Sequence, residues 1–267
     1  MATTPNCPTH RTVTVLVGSG RAPGGATMAA ARQFLRNLQT LGEVRGEIVS
    51  LGDLELGLCR GCKVCFSRGE RYCPLGGELT RLVDRMISYD GVVFATPNYA
   101  FQVSAIMKAF LDRLAYGLHR PAFHGRTFGA LVVQGIFGGG KIEKVLRFVG
   151  SGLGFHVVRG AVITALEPMS AKAQKKADRA LRKMSRRFYA RLMRPPYSAP
   201  SLLQLMVFRM ARTSMRQMLD GDNSDYCFYR DRGWFTADYY YPVRLSFFKR
   251  MMGWVFDGVF GRLYRAE

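Results

Sequence analysis

The sequence predicts an α/β protein: a doubly wound, five-stranded parallel sheet followed by a helical, basic C-terminal extension. Three observations carry that expectation. Short β-rich runs alternate with helically spaced segments through the first two-thirds of the 267 residues. Parallel strands joined by crossover helices require that rhythm. The segment Gly91 to Thr96 (GVVFAT) is apolar throughout, as a strand buried on both faces should be. The alternation then stops at Pro195, Pro196 and Pro200. Residues 1–195 therefore read as the sheet domain and 196–267 as the extension.

The elements follow in order. Thr12 to Val17 is the first strand and runs into a Gly-rich loop, Gly18 to Gly25. Thr27 to Leu41 is helical, with Met28, Ala31, Phe34, Leu35 and Leu38 sharing a face. Val44 to Leu51 is the second strand, and the loop after it holds the cysteines. Leu79 to Ile87 is a helix with Leu79, Leu82, Val83 and Met86 on one side. Gly91 to Thr96 is the third strand, leading through Pro97-Asn98-Tyr99 to a helix over Ser104 to Leu114. Thr127 to Gln134 is the fourth strand, followed by a second Gly-rich turn and a helix from Lys141 to about Gly150. Phe155 to Thr164 is the fifth strand, and Ser170 to Met193 the fifth helix. The unusual loops all follow strands one to four. They gather where open α/β sheets bind ligands, outside the carboxyl ends of the strands.

Composition excludes several classes. Apolar residues make up 48% of the chain, too many for a disordered or fibrous protein. No run reaches the roughly 18 uncharged apolar residues of a spanning helix, and Met1 to Arg11 does not read as a secretory signal. The formal charge of +20 attracts anionic partners. No helix-turn-helix, zinc-finger or aromatic RNA-binding signature accompanies it, so nucleic acid is not expected. The location expected is the cytoplasm, with peripheral contact at the inner face of the membrane.

The first loop carries an anion-binding pattern. Ser19, Arg21, Gly25, Ala26 and Thr27 stand just before a helix, where backbone N–H groups and the helix dipole favour a phosphate. A plain strand-to-helix turn is the structural alternative. The second pattern is Cys59, Cys62, Cys65 and Cys73, spaced C-x2-C-x2-C with the fourth cysteine eight residues on and followed by Pro74. Four thiolates around one centre suit an iron–sulfur cluster or zinc. Redox-active cysteines without a metal are a further reading. Arg60, Lys63, Arg68 and Arg71 would offset thiolate charge. Cys7 and Cys227 lie outside the motif.

The segment from Thr96 to Arg113 carries a family resemblance. Thr96-Pro97-Asn98-Tyr99, then Ser104-Ala105, then Lys108-Ala109-Phe110-Leu111-Asp112-Arg113 resembles the strand–loop–helix unit of the NADPH-dependent FMN reductase and iron–sulfur flavoprotein group. The first loop resembles the group's phosphate loop but has one extra residue, and Ala26 stands where Ser or Asn is usual. The cysteine motif resembles the compact signature of iron–sulfur flavoproteins. Only Glu78 remains where that group often has paired acids.

The resemblance implies a flavodoxin-like sheet of order 2-1-3-4-5 with FMN at its carboxyl edge. The phosphate would lie on the first loop. Pro97, Asn98, Tyr99, Ala100 and Phe101 would flank the ring, and Gln134, Gly135, Gly138 and Gly139 would cover its other edge. It further implies NAD(P)H as electron donor, a small-molecule or protein acceptor and a [4Fe–4S] cluster on the cysteine loop; a homo-oligomer is expected as well. No side chain is assigned a catalytic role, because the flavin itself carries the chemistry. The alternatives are a cluster-free NAD(P)H:flavin or quinone reductase, and a membrane-surface scaffold with the same fold and no redox activity. The membrane reading rests on the extension, where Phe247, Phe248, Met251, Met252, Trp254, Val255, Phe256, Val259 and Phe260 lie among Lys249, Arg250, Arg262 and Arg265.

Overall fold

A computed structural model of the chain describes residues 10–21 and 23–264. Cys7, Ala22 and Arg265 lie outside the described residues. Strand β1 (Arg11–Val17) leads to α1 (Ala26–Gln39) and β2 (Val44–Ser50). The cysteine loop holds a short α-helix, α2 (Val64–Ser67), and a single 3-10 turn at Glu70–Tyr72 before α3 (Glu78–Ser88). β3 (Gly91–Tyr99) folds back on itself through β4 (Gln102–Val103) and is followed by α4 (Ala105–Arg113) and α5 (Tyr116–His119). β5 (Thr127–Gln134), α6 (Gly139–Gly152), β6 (His156–Val157), β7 (Ala161–Thr164) and α7 (Ala171–Leu192) complete the sheet domain.

The main strands pair in parallel in the order β2-β1-β3-β5, and both β6 and β7 pair with β5. Taken as one interrupted strand, β6 and β7 complete the 2-1-3-4-5 order expected from the sequence. The interruption is a bulge. Phe128 pairs with Val157 and Leu131 with Ala161, so the outer strand uses one residue more than β5 over that stretch. Gly160 sits at the bulge. A Cβ there would lie 1.9 Å from the Ala130 carbonyl oxygen, so no side chain fits, and its N–H is taken by Glu143 Oε1 at 2.7 Å.

Alternate residues feed opposite faces of the sheet, as a period of two requires. Val13, Val15, Val17, Val93 and Ala95 pack beneath α1 and α7 against Phe34, Leu38, Met184 and Phe188. Leu16, Val92 and Phe94 pack on the other side against Phe110, Phe128 and Leu146 from α4, β5 and α6. Each large side chain buried in this way contributes roughly 1.5–3 kcal/mol.

The extension forms α8 (Leu202–Met218), α9 (Ser224–Asp231) and α10 (Phe247–Leu263). Ser201 caps α8 with a full capping box, and Ser246 caps α10. An aromatic core gathers Leu205, Phe208, Tyr229, Trp234, Tyr239 and Leu245. The C-terminal segment meets the preceding residues at several places, among them His156 Nε2 against the Pro196 carbonyl at 2.5 Å. The His124 ring stacks on Tyr240 with centroids 4.6 Å apart, and α9 lies on the cysteine loop.

Candidate functional site: a cleft at the sheet's carboxyl edge and a four-thiol cavity

Loops from four strands meet at the carboxyl edge of the sheet around a cleft of about 260 Å³. Its lining includes ten residues singled out from the sequence: Ser19, Arg21, Gly25, Ala26, Thr27, Pro97, Asn98, Tyr99, Gln134 and Gly135. Val133, Ala165, Leu166 and Glu167 complete it. The last three follow β7, a loop that sequence reasoning passed over. Its one signal was position, since every such loop of a parallel sheet opens on the same edge.

The N-terminus of α1 faces this cleft. Gly25 is its N-cap and supplies no side-chain cap, so the first-turn amides have no side-chain partner among the described residues. Ser19 and Thr27 are buried beside them, and Arg21 is exposed at the mouth. Among the described residues the Ser19 hydroxyl accepts one long bond, from Arg21 N–H at 3.3 Å.

The loop before α4 is held by the residues that carried the family resemblance. Ser104 caps α4 by accepting from Met107 N–H. Its hydroxyl donates to the Gly18 carbonyl, and its own N–H donates to Thr96 Oγ1 at 3.1 Å. Thr96 and Ser104 thus lock the first and third loops together. Gly18 permits this approach, because a Cβ there would fall 2.7 Å from Met107 Cβ.

Between these anchors the β3–β4 turn places Ala100 and Phe101 at φ 48° and 62°. Left-handed backbone at residues other than glycine costs of order 1–3 kcal/mol each and concentrates at functional sites. The turn presents Tyr99 and Phe101 to solvent. Phe101 leans on Phe137, with ring centroids 5.3 Å apart. Ala100, Phe101, Gly138 and Gly139 do not line the cleft itself; they form the adjoining rim. The Gln134 side chain is committed within the protein. Its Oε1 accepts from Gly139 N–H at 2.7 Å, and its Nε2 donates to the Ile136 carbonyl and Thr164 Oγ1.

A second cavity, about 400 Å³, opens over the loop after β2. Cys59, Cys62, Cys65 and Cys73 all line it, with Arg60, Lys63, Glu70, Asp112, Arg113 and Tyr116 among their neighbours. Arg68 and Arg71 instead lie over the Tyr72 ring. Cys59 and Cys62 are exposed, and Cys65 and Cys73 half-buried. Burial pushes the Cys65 thiol up from its ordinary value. Its neighbours Cys73 and Cys59 add to that, opposed by Arg120. Among the described residues no three Cys, His, Asp or Glu side chains stand close enough to share one metal ion. The donor set itself, four thiols spread round one cavity with cations beside them, has the chemistry an iron–sulfur cluster takes.

Two buried arginines hold this loop. Arg113 donates to the Leu56 carbonyl on one side of the motif and to the Gly76 carbonyl on the other. Arg120 donates to the Cys65 carbonyl, at 2.5 Å, and pairs with Glu70 Oε2 at 2.9 Å. It also donates to Ser224 Oγ at 2.8 Å on α9 and forms an ion pair with Asp225, Nε and Oδ1 standing 3.0 Å apart at an angle short of a hydrogen bond. His119 Nδ1 meets the other oxygen of Asp225 at 2.8 Å. Sequence reasoning missed Arg120 and Asp225, which no local pattern marks.

The molecule is therefore a flavodoxin-like α/β protein with a cleft at the carboxyl edge of the sheet and a cysteine cavity beside it. It belongs to the NADPH-dependent FMN reductase family, whose model matches residues 11–167. It is 29% identical over 232 residues to an iron–sulfur flavoprotein of Archaeoglobus fulgidus, an alignment covering 82% of this chain and 97% of that protein. An iron–sulfur flavoprotein of Methanocaldococcus jannaschii is 34% identical over 49% of this chain and 67% of its own. Among solved structures, RosB with bound 8-demethyl-8-formylriboflavin-5'-phosphate superposes with a TM-score of 0.53 at 14% identity. That match covers 89% of this chain and 92% of RosB, and it speaks to the fold alone.

Proposed function

We propose that the chain is an FMN-dependent oxidoreductase, reduced by NAD(P)H, whose cysteine loop carries a [4Fe–4S] cluster. The observation that carries the flavin reading is the convergence of four loops on one cleft beside the uncapped N-terminus of α1. Ser19, Thr27 and the first-turn amides would hold the phosphate, with Arg21 adding charge at the mouth. Pro97, Asn98 and Tyr99 on one side and Gln134 and Gly135 on the other would flank the ring. The strained turn at Ala100 and Phe101, with Phe137 behind it, would shape the rim on which the reacting edge of the ring meets its partner.

Cys59, Cys62, Cys65 and Cys73 would hold the cluster. Arg113 and Arg120 would fix the loop's two ends and its Cys65 carbonyl. When bound, FMN supplies hydride acceptance and release of single electrons, and a cluster supplies one-electron transfer. The similarity to iron–sulfur flavoproteins of Archaeoglobus and Methanocaldococcus supports the cluster reading, and membership of the NADPH-dependent FMN reductase family supports NADPH as the donor.

The test is reduction of the bound flavin. Protein purified with its flavin and mixed anaerobically with NADPH or NADH should lose its flavin absorbance within the mixing experiment. It should recover that absorbance on addition of an acceptor. A flavin that neither nucleotide reduces, but dithionite does, would remove NAD(P)H from the account. Reduction without any iron in the preparation would favour the cluster-free reductase.

A further inference from the structure

Helices α8 and α10 lie side by side and run in the same direction, with Gly253 against Arg209 and Gly261 near Gln217. The seam between them is polar, although α8 also turns Leu205 and Phe208 into the aromatic core. The charged network faces inward: Arg209, buried, pairs with Asp257 at 2.7 Å and Asp238 at 2.6 Å, and Arg212 pairs with the other oxygen of Asp257. Elsewhere apolar side chains face outward. On α10, Phe247 is 80% exposed, Trp254 62% and Leu263 57%, with Phe248, Met251, Val255 and Val259 also exposed. Their spacing puts most of them on one face of the helix. α8 adds exposed Leu203 and Val207. A monomeric protein rarely leaves an apolar patch of this kind bare.

The charge on that face selects the occupant. The exposed charged residues of α10 are Arg250 and Arg262; its one acid, Asp257, is turned into the network. α8 contains no acidic residue, and Arg216 near its end is exposed. A second copy would set like charges against one another in a molecule already carrying +20. An anionic lipid surface matches both properties, since it takes aromatic side chains into its interface and cations against its headgroups. No helix among the described residues is long and apolar enough to cross a membrane. We propose that the α8–α10 face is a peripheral membrane-docking surface for anionic phospholipid, with Phe247 and Trp254 entering the interface and Arg250 and Arg262 meeting the headgroups.

The experiment uses the full chain with its bound cofactors. It is sedimented with vesicles of phosphatidylcholine alone, or of phosphatidylcholine mixed with phosphatidylglycerol, while tryptophan emission is followed. Trp234 is buried, so a change on binding reports Trp254. The result expected is pelleting and a blue shift that are strong with the phosphatidylglycerol vesicles and much weaker with phosphatidylcholine alone. Binding should weaken in high salt without vanishing. The R250Q/R262Q variant should bind about 25-fold more weakly, at about fivefold for each cation. W254S should lose most of the binding while keeping its flavin content and far-UV spectrum. No pelleting with either vesicle would overturn the proposal. So would a concentration-dependent dimer that W254S abolishes, which would assign the face to a second copy.

Discussion

Arg120 is the point at which the cysteine loop, α5 and the extension are tied together, and its removal has a calculable effect. Arg120 and Asp225 are each under 5% exposed as side chains, with Nε and Oδ1 3.0 Å apart. Substituting Arg120→Met leaves Asp225 buried without its main partner. It also frees the Cys65 carbonyl, Glu70 and Ser224 from the guanidinium. Breaking a buried ion pair from one side costs about 3–5 kcal/mol. His119 remains on the second oxygen of Asp225 and is half in solvent, so the lower end, about 3 kcal/mol, is expected. At about 2–4 °C per kcal/mol, the melting midpoint should fall by roughly 6–12 °C. The assay is thermal and urea unfolding of the wild type, R120M and R120M/D225L. Replacing both partners by apolar residues removes the stranded charge, so the double variant should recover to within about 1 kcal/mol of the parent. Iron retention should fall in R120M while FMN binding holds, because Arg120 does not line the flavin cleft. A single variant within about 0.5 kcal/mol of wild type would refute the reasoning. So would a double variant as unstable as the single.

Three further outcomes follow from the same geometry. Arg21→Ala and Thr27→Val should each weaken FMN binding about 10- to 150-fold, the loss of one charge-assisted hydrogen bond of about 1.5–3 kcal/mol. Flavin fluorescence titration reads this, and unchanged affinity in both variants would put the phosphate elsewhere. Cys59, Cys62, Cys65 and Cys73 should each be needed for iron, while Cys227→Ala, which removes a thiol that donates to the Gly221 carbonyl, should load fully. A fully loaded Cys73→Ala variant would contradict the ligand set. Burial pushes the His124 imidazole down to about 4, aided by His156, and its Nε2 has no hydrogen-bond partner among the described residues. A depressed histidine favours the neutral form in the fold, so its contribution is intact above pH about 6.5 and is lost as pH falls towards 4. The loss amounts to at most about 3 kcal/mol. The His124→Phe variant should flatten the stability profile across that window and run parallel to the wild type above pH 7. Parallel profiles throughout would sink this assignment.

The main strands and helices of the sheet domain were legible because burial on both faces writes apolar runs, and helices against the sheet write a 3.6-residue stripe. The β3–β4 turn was not. Ala100 and Phe101 occupy left-handed positions without the Gly or Asn that ordinarily signals such a turn. The break between β6 and β7 was also invisible, since a bulge depends on register with β5. In the site, the loops that end strands one and three announced themselves through glycines, hydroxyls and Pro97. The lining by Ala165, Leu166 and Glu167 did not, because nothing in those residues is unusual. Arg113 stood within the family motif, yet its role in closing the cysteine loop appears only when Leu56 and Gly76 are seen on either side of it. Arg120 and Asp225 lie 105 residues apart, and no spacing rule joins them. The extension was legible as helical and basic. Its inward-facing Arg209–Asp257 network, and hence its outward apolar face, required the structure.

The most direct test is cofactor analysis of one preparation. The full chain is purified anaerobically from flavin-replete cells and denatured, and its flavin, iron and acid-labile sulfide are measured per chain. The account predicts FMN rather than FAD at close to one per chain, with iron and sulfide in equal amounts. A colourless protein that also takes up no added FMN would contradict it.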